Sequence, residues 1–207
     1  MKLSTRATIS LATPLAVLLA FALARPAVAG LDEGKEAFER GDYQTAMREL
    51  LPLAEQGVAE AQLGVGVMYA NGQGVAQNST EAARWFRQAA EQGLADAQSR
   101  LGAMHFMGIG VAKSDGEAAR WYRRAAQQGH PQAQFNLASM YSVGRGVAQD
   151  DVLAYMWCSV SASSAPAGEM RDRAAQRCDR IAPRMSSRDV GKARELASKF
   201  VPRLERP

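Results

Sequence analysis

Histidine and cysteine are scarce in this chain, with two of each in 207 residues. His105 and His130 have no partner histidine at metal-ligand spacing, and the cysteines stand at no recognised zinc spacing from them. No metal site and no cofactor are expected. After its first 29 residues the chain has no S-x-x-K sequence, which removes the serine β-lactamase motif set. The G-x-G pairs follow helical patterns rather than strands, so they read as turns and not as phosphate loops. With no catalytic constellation in view, no enzyme activity is expected. Low-complexity stretches and long linkers are also missing, which leaves one elongated domain.

Long apolar runs are lacking as well. The one candidate, Ile9 to Ala24, is shorter than the ~20 residues a membrane span needs, and Arg25-Pro26 interrupts its end. Lys2 and Arg6 precede the run, and Ala27-Val28-Ala29 offers a small-residue cleavage site before Gly30. This is the pattern of a secretory signal peptide over residues 1–29. It contains no twin arginine and no nearby cysteine for lipidation. The expected location is therefore periplasmic or secreted, with no stable membrane insertion after cleavage.

Charge of one sign is not in large excess once the leader is set aside. The remaining chain carries 22 basic and 21 acidic residues. Residues 30–168 hold 11 basic and 15 acidic groups, whereas 169–207 hold 11 and 6. Such asymmetry speaks to partners rather than to fold, and it is too weak to argue for nucleic acid.

What the chain does have is a 36-residue period. Residues 42–77, 78–113 and 114–149 align without a gap: Gly57, Gly93 and Gly129; Gln62, Gln98 and Gln134; Met68, Met104 and Met140; Gly72/Gly74, Gly108/Gly110 and Gly144/Gly146. Trp85, Trp121 and Trp157 recur at the same step. A fixed period of this size marks a solenoid of stacked units. Within each unit, apolar residues such as Ala82, Trp85, Phe86 and Ala89 recur at helical spacing. A glycine ends that helix, and a second follows with Ala97, Leu101, Met104 and His105 on one face. Asp42, Asn78, Ser114 and Asp150 are strong N-capping types, and Glu81 and Glu117 sit where a capping box would use them. The fold class expected is all-α: about four helix-hairpin repeats, with a short helix over 30–41 before them. A degenerate fourth unit covers 150–182, and a helical C-terminal cap and tail cover 183–207. In the fourth unit Ser163-Ser164-Ala165-Pro166 replaces the Gln-Gly turn. A longer, charged helix from about Ala167 to Ile181 is expected after it.

The residues A-x-x-W-[FY]-x-x-A-A-x-Q-G, A-Q-x-x-L-G-x-M and G-x-G-V, present here as EAARWFRQAAEQG, AQSRLGAMHFMGIGV and their copies, resemble the Sel-one-like repeat (SLR) family. The first unit departs from the pattern, with Glu49-Leu50 in place of the aromatic pair. The resemblance implies a right-handed α/α superhelix used as a protein-binding scaffold, here in the bacterial cell envelope. Some secreted relatives are described as β-lactam-binding or β-lactamase proteins, but those carry a cysteine pair in every repeat. An exopolysaccharide-assembly or regulatory role is a further alternative.

Several residues invite a functional reading. In related superhelices the first helices line the concave face. Arg48, Arg84 and Arg120 align there at the 36-residue step, with Arg87, Arg123 and Arg124 beside them. The row would grip an acidic segment of a protein partner, or it is a solvated face paired with Glu81, Glu91 and Glu117. The stripe Arg173, Arg177, Arg180, Arg184 and Arg188 is a solvated flank or a site for an anionic glycan or lipid. The paired aromatics read as core. Cys158 and Cys178 fall on neighbouring helices. They either bridge or remain two buried thiols, because counting from Ala165-Pro166 leaves them offset by about one helical turn, ~7 Å.

Overall fold

The computed structural model describes residues 30–205. The leader read over residues 1–29 lies outside the described residues. A helix over residues 30–39 (α1) is followed by α2 (Tyr43–Glu55), α3 (Ala59–Asn71), α4 (Ser79–Glu91), α5 (Ala95–Met107), α6 (Asp115–Gln127) and α7 (Pro131–Val143). Then come α8 (Asp151–Ser164), α9 (Glu169–Ile181), a 3-10 turn (Ala182–Arg184) and α10 (Ser187–Ser198). From α2 to α9 each helix packs on its neighbours in sequence, which makes an α/α solenoid.

The helix ends follow from local chemistry. Asp42, Asn78, Ser114 and Asp150 cap α2, α4, α6 and α8 by accepting backbone N–H bonds from the first turn. The expected capping boxes are only half made. The N-cap N–H groups of Asn78 and Ser114 donate instead to Tyr69 O and His105 O of the preceding helix, both at 2.9 Å. That leaves Glu81 and Glu117 free to pair with Arg84 and Arg120 one turn on. The second helices α3, α5 and α7 end on left-handed glycines. The second glycine of each loop is required by contact as well as by φ. A Cβ on Gly110, at φ +68°, would stand 2.1 Å from Ser79 O.

The core is continuous because each tryptophan leaves its own unit. Trp85 packs into the cluster of Leu50, Val65 and Met68, and Trp121 into that of Phe86, Leu101 and Met104. Trp157 joins Tyr122, Leu137 and Met140. A single hairpin cannot bury its tryptophan; its predecessor does so, at roughly 1.5–3 kcal/mol per large apolar side chain. The ring that follows each tryptophan lies over a small residue of the preceding unit. A Cβ on Gly66 would be 2.7 Å from Phe86, and one on Gly102 would be 2.9 Å from Tyr122. In the fourth unit both partners change together, to Ala138 and Cys158. At the open end α1 covers α2, with Ala37 and Phe38 against Leu50 and Tyr43. At the other end α10 packs on α8, and Phe200 meets Trp157 edge-on at 5.3 Å.

The fourth unit corrects two expectations. Helix α9 has 13 residues, the same as α2 to α7, because Ala165 is extended and Gly168, at φ +135°, delays the helix start to Glu169. The same connection removes the expected offset of the cysteines. Cys158 and Cys178 are joined, with Cα atoms 5.7 Å apart, within the range a disulfide requires.

Two outcomes are expected. Gly102→Ala should lower stability by about 1–3 kcal/mol, since overpacking against Tyr122 outweighs the ~0.5–1 kcal/mol of helix propensity gained. Gly116→Ala in α6, whose new Cβ would meet nothing within 4 Å, should not lower it; chemical denaturation of both variants checks this. Replacing both cysteines by Ser should cost about 3 kcal/mol, from the closed loop of 20 residues. Peptide mapping of non-reduced protein should recover the linked pair, and two alkylatable thiols would refute it.

Candidate functional site

The arginines read from the sequence divide into two groups. Arg84 stacks over Trp85 at 4.1 Å from the ring centroid, and Arg120 and Arg124 stack over Trp121 at 5.0 and 4.8 Å. Arg84 and Arg120 are also paired with Glu81 and Glu117 on their own helices, and Arg48 with Glu49. All three are well exposed, so these pairs contribute little to stability. Arg123 lies apart from this row. It turns to α7, where it donates to the Tyr141 hydroxyl at 3.0 Å. Arg87, at the corresponding position of α4, is exposed. His105 is buried, with Nδ1 at 3.2 Å from Ala112 O. His130 caps α7 and faces Asp96 at 3.2 Å, and this contact holds the Asp96 carboxyl below its ordinary pKa. Three of the five closing arginines are engaged with the fold: Arg173 and Arg177 lie over Phe135, and Arg184 reaches Asp151, whereas Arg180 and Arg188 are exposed. Among the described residues no cluster of three or more His, Cys, Asp or Glu could hold a metal ion.

The strongest feature of the first-helix face is a contact that sequence reading did not find. After α10 the chain returns as an extended segment along the ends of α6 and α4. The Arg203 N–H donates to Gln127 O at 2.9 Å. The Glu205 N–H points at Gln128 Oε1 at 3.4 Å. The Glu205 carboxylate accepts from Arg124 Nε at 3.0 and 3.1 Å and from Nη2 at 2.5 Å, and from Gln98 Nε2 at 2.9 Å. This is the planar, two-pronged grip that guanidinium groups make on carboxylates. Hydrogen bonds from Arg124 hold the Glu205 carboxyl below its ordinary value, and Glu205 in turn raises Arg124. The segment crosses two helix-ending glycines. A Cβ on Gly93, at φ +93°, would be 3.0 Å from Glu205 Cβ, and one on Gly129 would be 3.2 Å from Pro202 Cγ. Bare backbone at these turns is what admits a second chain so closely.

A repeated amide lattice lies beneath the segment. Gln62, Gln98 and Gln134 are buried and donate to Ala54 O, Ala90 O and Ala126 O, each at 3.1 Å. Gln92 and Gln128 then donate to Gln62 and Gln98 Oε1 of the preceding unit at 2.8 Å, and to Gly57 O and Gly93 O. In the fourth unit Ser164 stands at the corresponding position and donates to Gln134 Oε1 at 2.9 Å. The alignment of Gln62, Gln98 and Gln134 was the available signal for the lattice. Nothing local marks Glu205, which lies 81 residues from Arg124.

The family model of the Sel1 repeat matches residues 59–94, 95–130 and 131–165. This chain belongs to the Sel1 repeat family. The matched units begin one helix later than the hairpins described above and keep the same period. They pair α3 with α4, α5 with α6 and α7 with α8, the most extensively packed neighbours of the Sel1 solenoid. A Sel1 repeat protein from Oxalobacter formigenes is 40% identical, with 65% of this chain and 97% of that one covered and a TM-score of 0.58. A protective antigen present in uropathogenic Escherichia coli strains, which displays an SLR fold, is 25% identical with a TM-score of 0.57. That match covers 89% of this chain, which spans 47% of the antigen. No curated protein matches the chain significantly. Sel1 repeat proteins generally mediate protein–protein interactions.

The Arg124–Glu205 grip has a defined pH dependence. The folded pKa of Glu205 is depressed below 4.5, so its contribution is fully present above that value. It is lost as pH falls through the depressed pKa. The backbone amide shift of Arg203, followed by NMR, should report a docked segment at neutral pH and a released one at strongly acidic pH. An unchanged shift would show that the carboxylate does not hold the segment.

Proposed function

We propose that this protein is an exported scaffold of the bacterial cell envelope, without catalysis of its own, that holds a partner protein by an extended acidic segment laid along the first-helix face. The observation that carries this reading is the Glu205 carboxylate seated on Arg124 and Gln98, since it displays the chemistry this face accepts. Membership of a family that generally mediates protein–protein interactions supports it. The leader pattern at residues 1–29 supports export, and its removal is read by sequencing the N-terminus of protein recovered from the envelope.

Arg120 and Arg124 both lie against the ring of Trp121 and are the residues on which capture should depend. In cross-linking of the tagged protein within its own envelope, the pair Arg120→Glu and Arg124→Glu should lose the partner that the unaltered protein recovers. Capture by the unaltered protein should weaken as salt is raised, because exposed charges are screened beyond ~10 Å at 0.1 M. Helicity of the variant should stay nearly unchanged, because Arg120 is exposed and Arg124 holds the extended segment rather than a helix. Recovery of the same partner by the double variant at the same salt would sink the reading. Turnover of nitrocefin by the purified protein would instead favour a β-lactam-directed activity.

A further inference from the structure

The extended segment lies on the solenoid in a simple register. Pro202 sits over Gly129 and Glu205 over Gly93, so three residues of chain span one 36-residue unit. An extended chain rises about 3.3 Å per residue, and packed helices stand about 10 Å apart, so three residues match one unit. The third glycine in this row is Gly57, at φ +92°, where an added Cβ would meet nothing within 4 Å among the described residues. The cradle around it repeats the occupied one. Gln92 donates to Gly57 O and Gln62 Oε1 at 2.9 and 2.8 Å, as Gln128 does to Gly93 O and Gln98 Oε1.

Two features set the third cradle apart. Gln88 replaces Arg124, and Glu55, Glu91 and Arg84 line its edge. The indole N–H of Trp85, which is 4% exposed, and the Oε1 of Gln88 have no hydrogen-bond partner among the described residues. A buried donor and a buried acceptor within one turn of α4 are thus left without partners, which is costly unless a ligand fills them. A carboxylate would find as its cation only Arg84, which Glu81 already holds, would be repelled by Glu55 and Glu91, and would leave Gln88 Oε1 unmet. A carboxamide supplies one acceptor and two donors, and it matches both groups.

We propose that the groove reads one residue in three of an extended protein segment, in the pattern Pro-x-x-Glu-x-x-Gln or Pro-x-x-Glu-x-x-Asn. Residues 202–205 are a resident stand-in that fills the first two cradles and that the partner displaces. The partner outcompetes the tethered segment because it also fills the cradle at Gly57. This deepens the scaffold reading and rests on it, while its test needs no knowledge of the partner.

The probe is a fluorescein-labelled peptide, Val-Pro-Arg-Leu-Glu-Ala-Ala-Gln, titrated by fluorescence anisotropy against the full-length chain and its Glu205→Lys variant. A tethered segment competes at an effective concentration near millimolar, so releasing it should tighten peptide binding about ten-fold or more. Changing the peptide Glu to Ala should weaken binding to the variant about ten-fold. Changing the peptide Gln to Ala should weaken it several-fold, and that loss should disappear when Trp85→Phe removes the waiting donor. Adding Arg124→Ala to the Glu205→Lys variant should abolish binding. Loss of the docked Arg203 amide shift confirms release in Glu205→Lys; retention of that shift overturns the stand-in role. Equal affinity for the unaltered and Glu205→Lys chains overturns it too, as does no binding by either. Indifference to the peptide Gln overturns the third cradle. If envelope capture depends on Arg120 and Arg124 while this peptide does not bind, the scaffold reading survives and the three-residue pattern falls.

Discussion

Each unit of this solenoid is tied to the next through a buried carboxamide. Gln62, Gln98 and Gln134 close on the carbonyl at the end of their own first helix, and their free oxygen takes a donor from the following unit. An amide in such a place costs about 1–3 kcal/mol if its partners are absent, so it penalises any stacking that is out of step. Hydrophobic contact alone would tolerate sliding, because alanine faces are alike. The fourth unit shows the strength of the requirement: Ser164 takes the glutamine position and still supplies the donor. That lattice fixes the step between units, and the step fixes the spacing of everything displayed on the surface.

The apolar core obeys the same logic of dependence on a neighbour. A tryptophan from one unit completes the core of the unit before it, and the ring beside it needs the absence of a Cβ across the interface. The fold is therefore closed at both ends by elements that are not repeats. Helix α1 covers the first unit, while α9, α10 and the disulfide finish the last. Capping is not a separate decoration on such a structure, because an end unit without a cover would expose the apolar face that interior units bury.

The candidate site grows from this lattice. The Gln-Gly turns that end the first helices place bare backbone and side-chain amides in a row, and the Arg124–Glu205 grip adds charge at one point of it. The six arginines singled out from sequence do not act as one set. Arg84, Arg120 and Arg124 share the tryptophan side, whereas Arg123 faces α7. Positions 123 and 124 are adjacent in sequence, and a helix turns by about 100° per residue, so one reaches the groove and the other does not.

The sequence alone determined the period, the ends of the repeated helices, their capping residues and the family, because each of these is a local property repeated three times. It places Trp121, Gln98 and Gly93 in register with their counterparts one unit away. It did not decide how the N-cap N–H groups are satisfied, whether Cys158 meets Cys178, or what lies on Arg124. Those depend on distances between elements far apart in the chain. The expected capping box failed because a carbonyl of the preceding helix was nearer, and the cysteine offset vanished because Gly168 reshaped one turn. Glu205 carries no motif at all. It becomes a ligand only because α10 packs on α8 and sends the chain back across two glycines that the solenoid has set one unit apart.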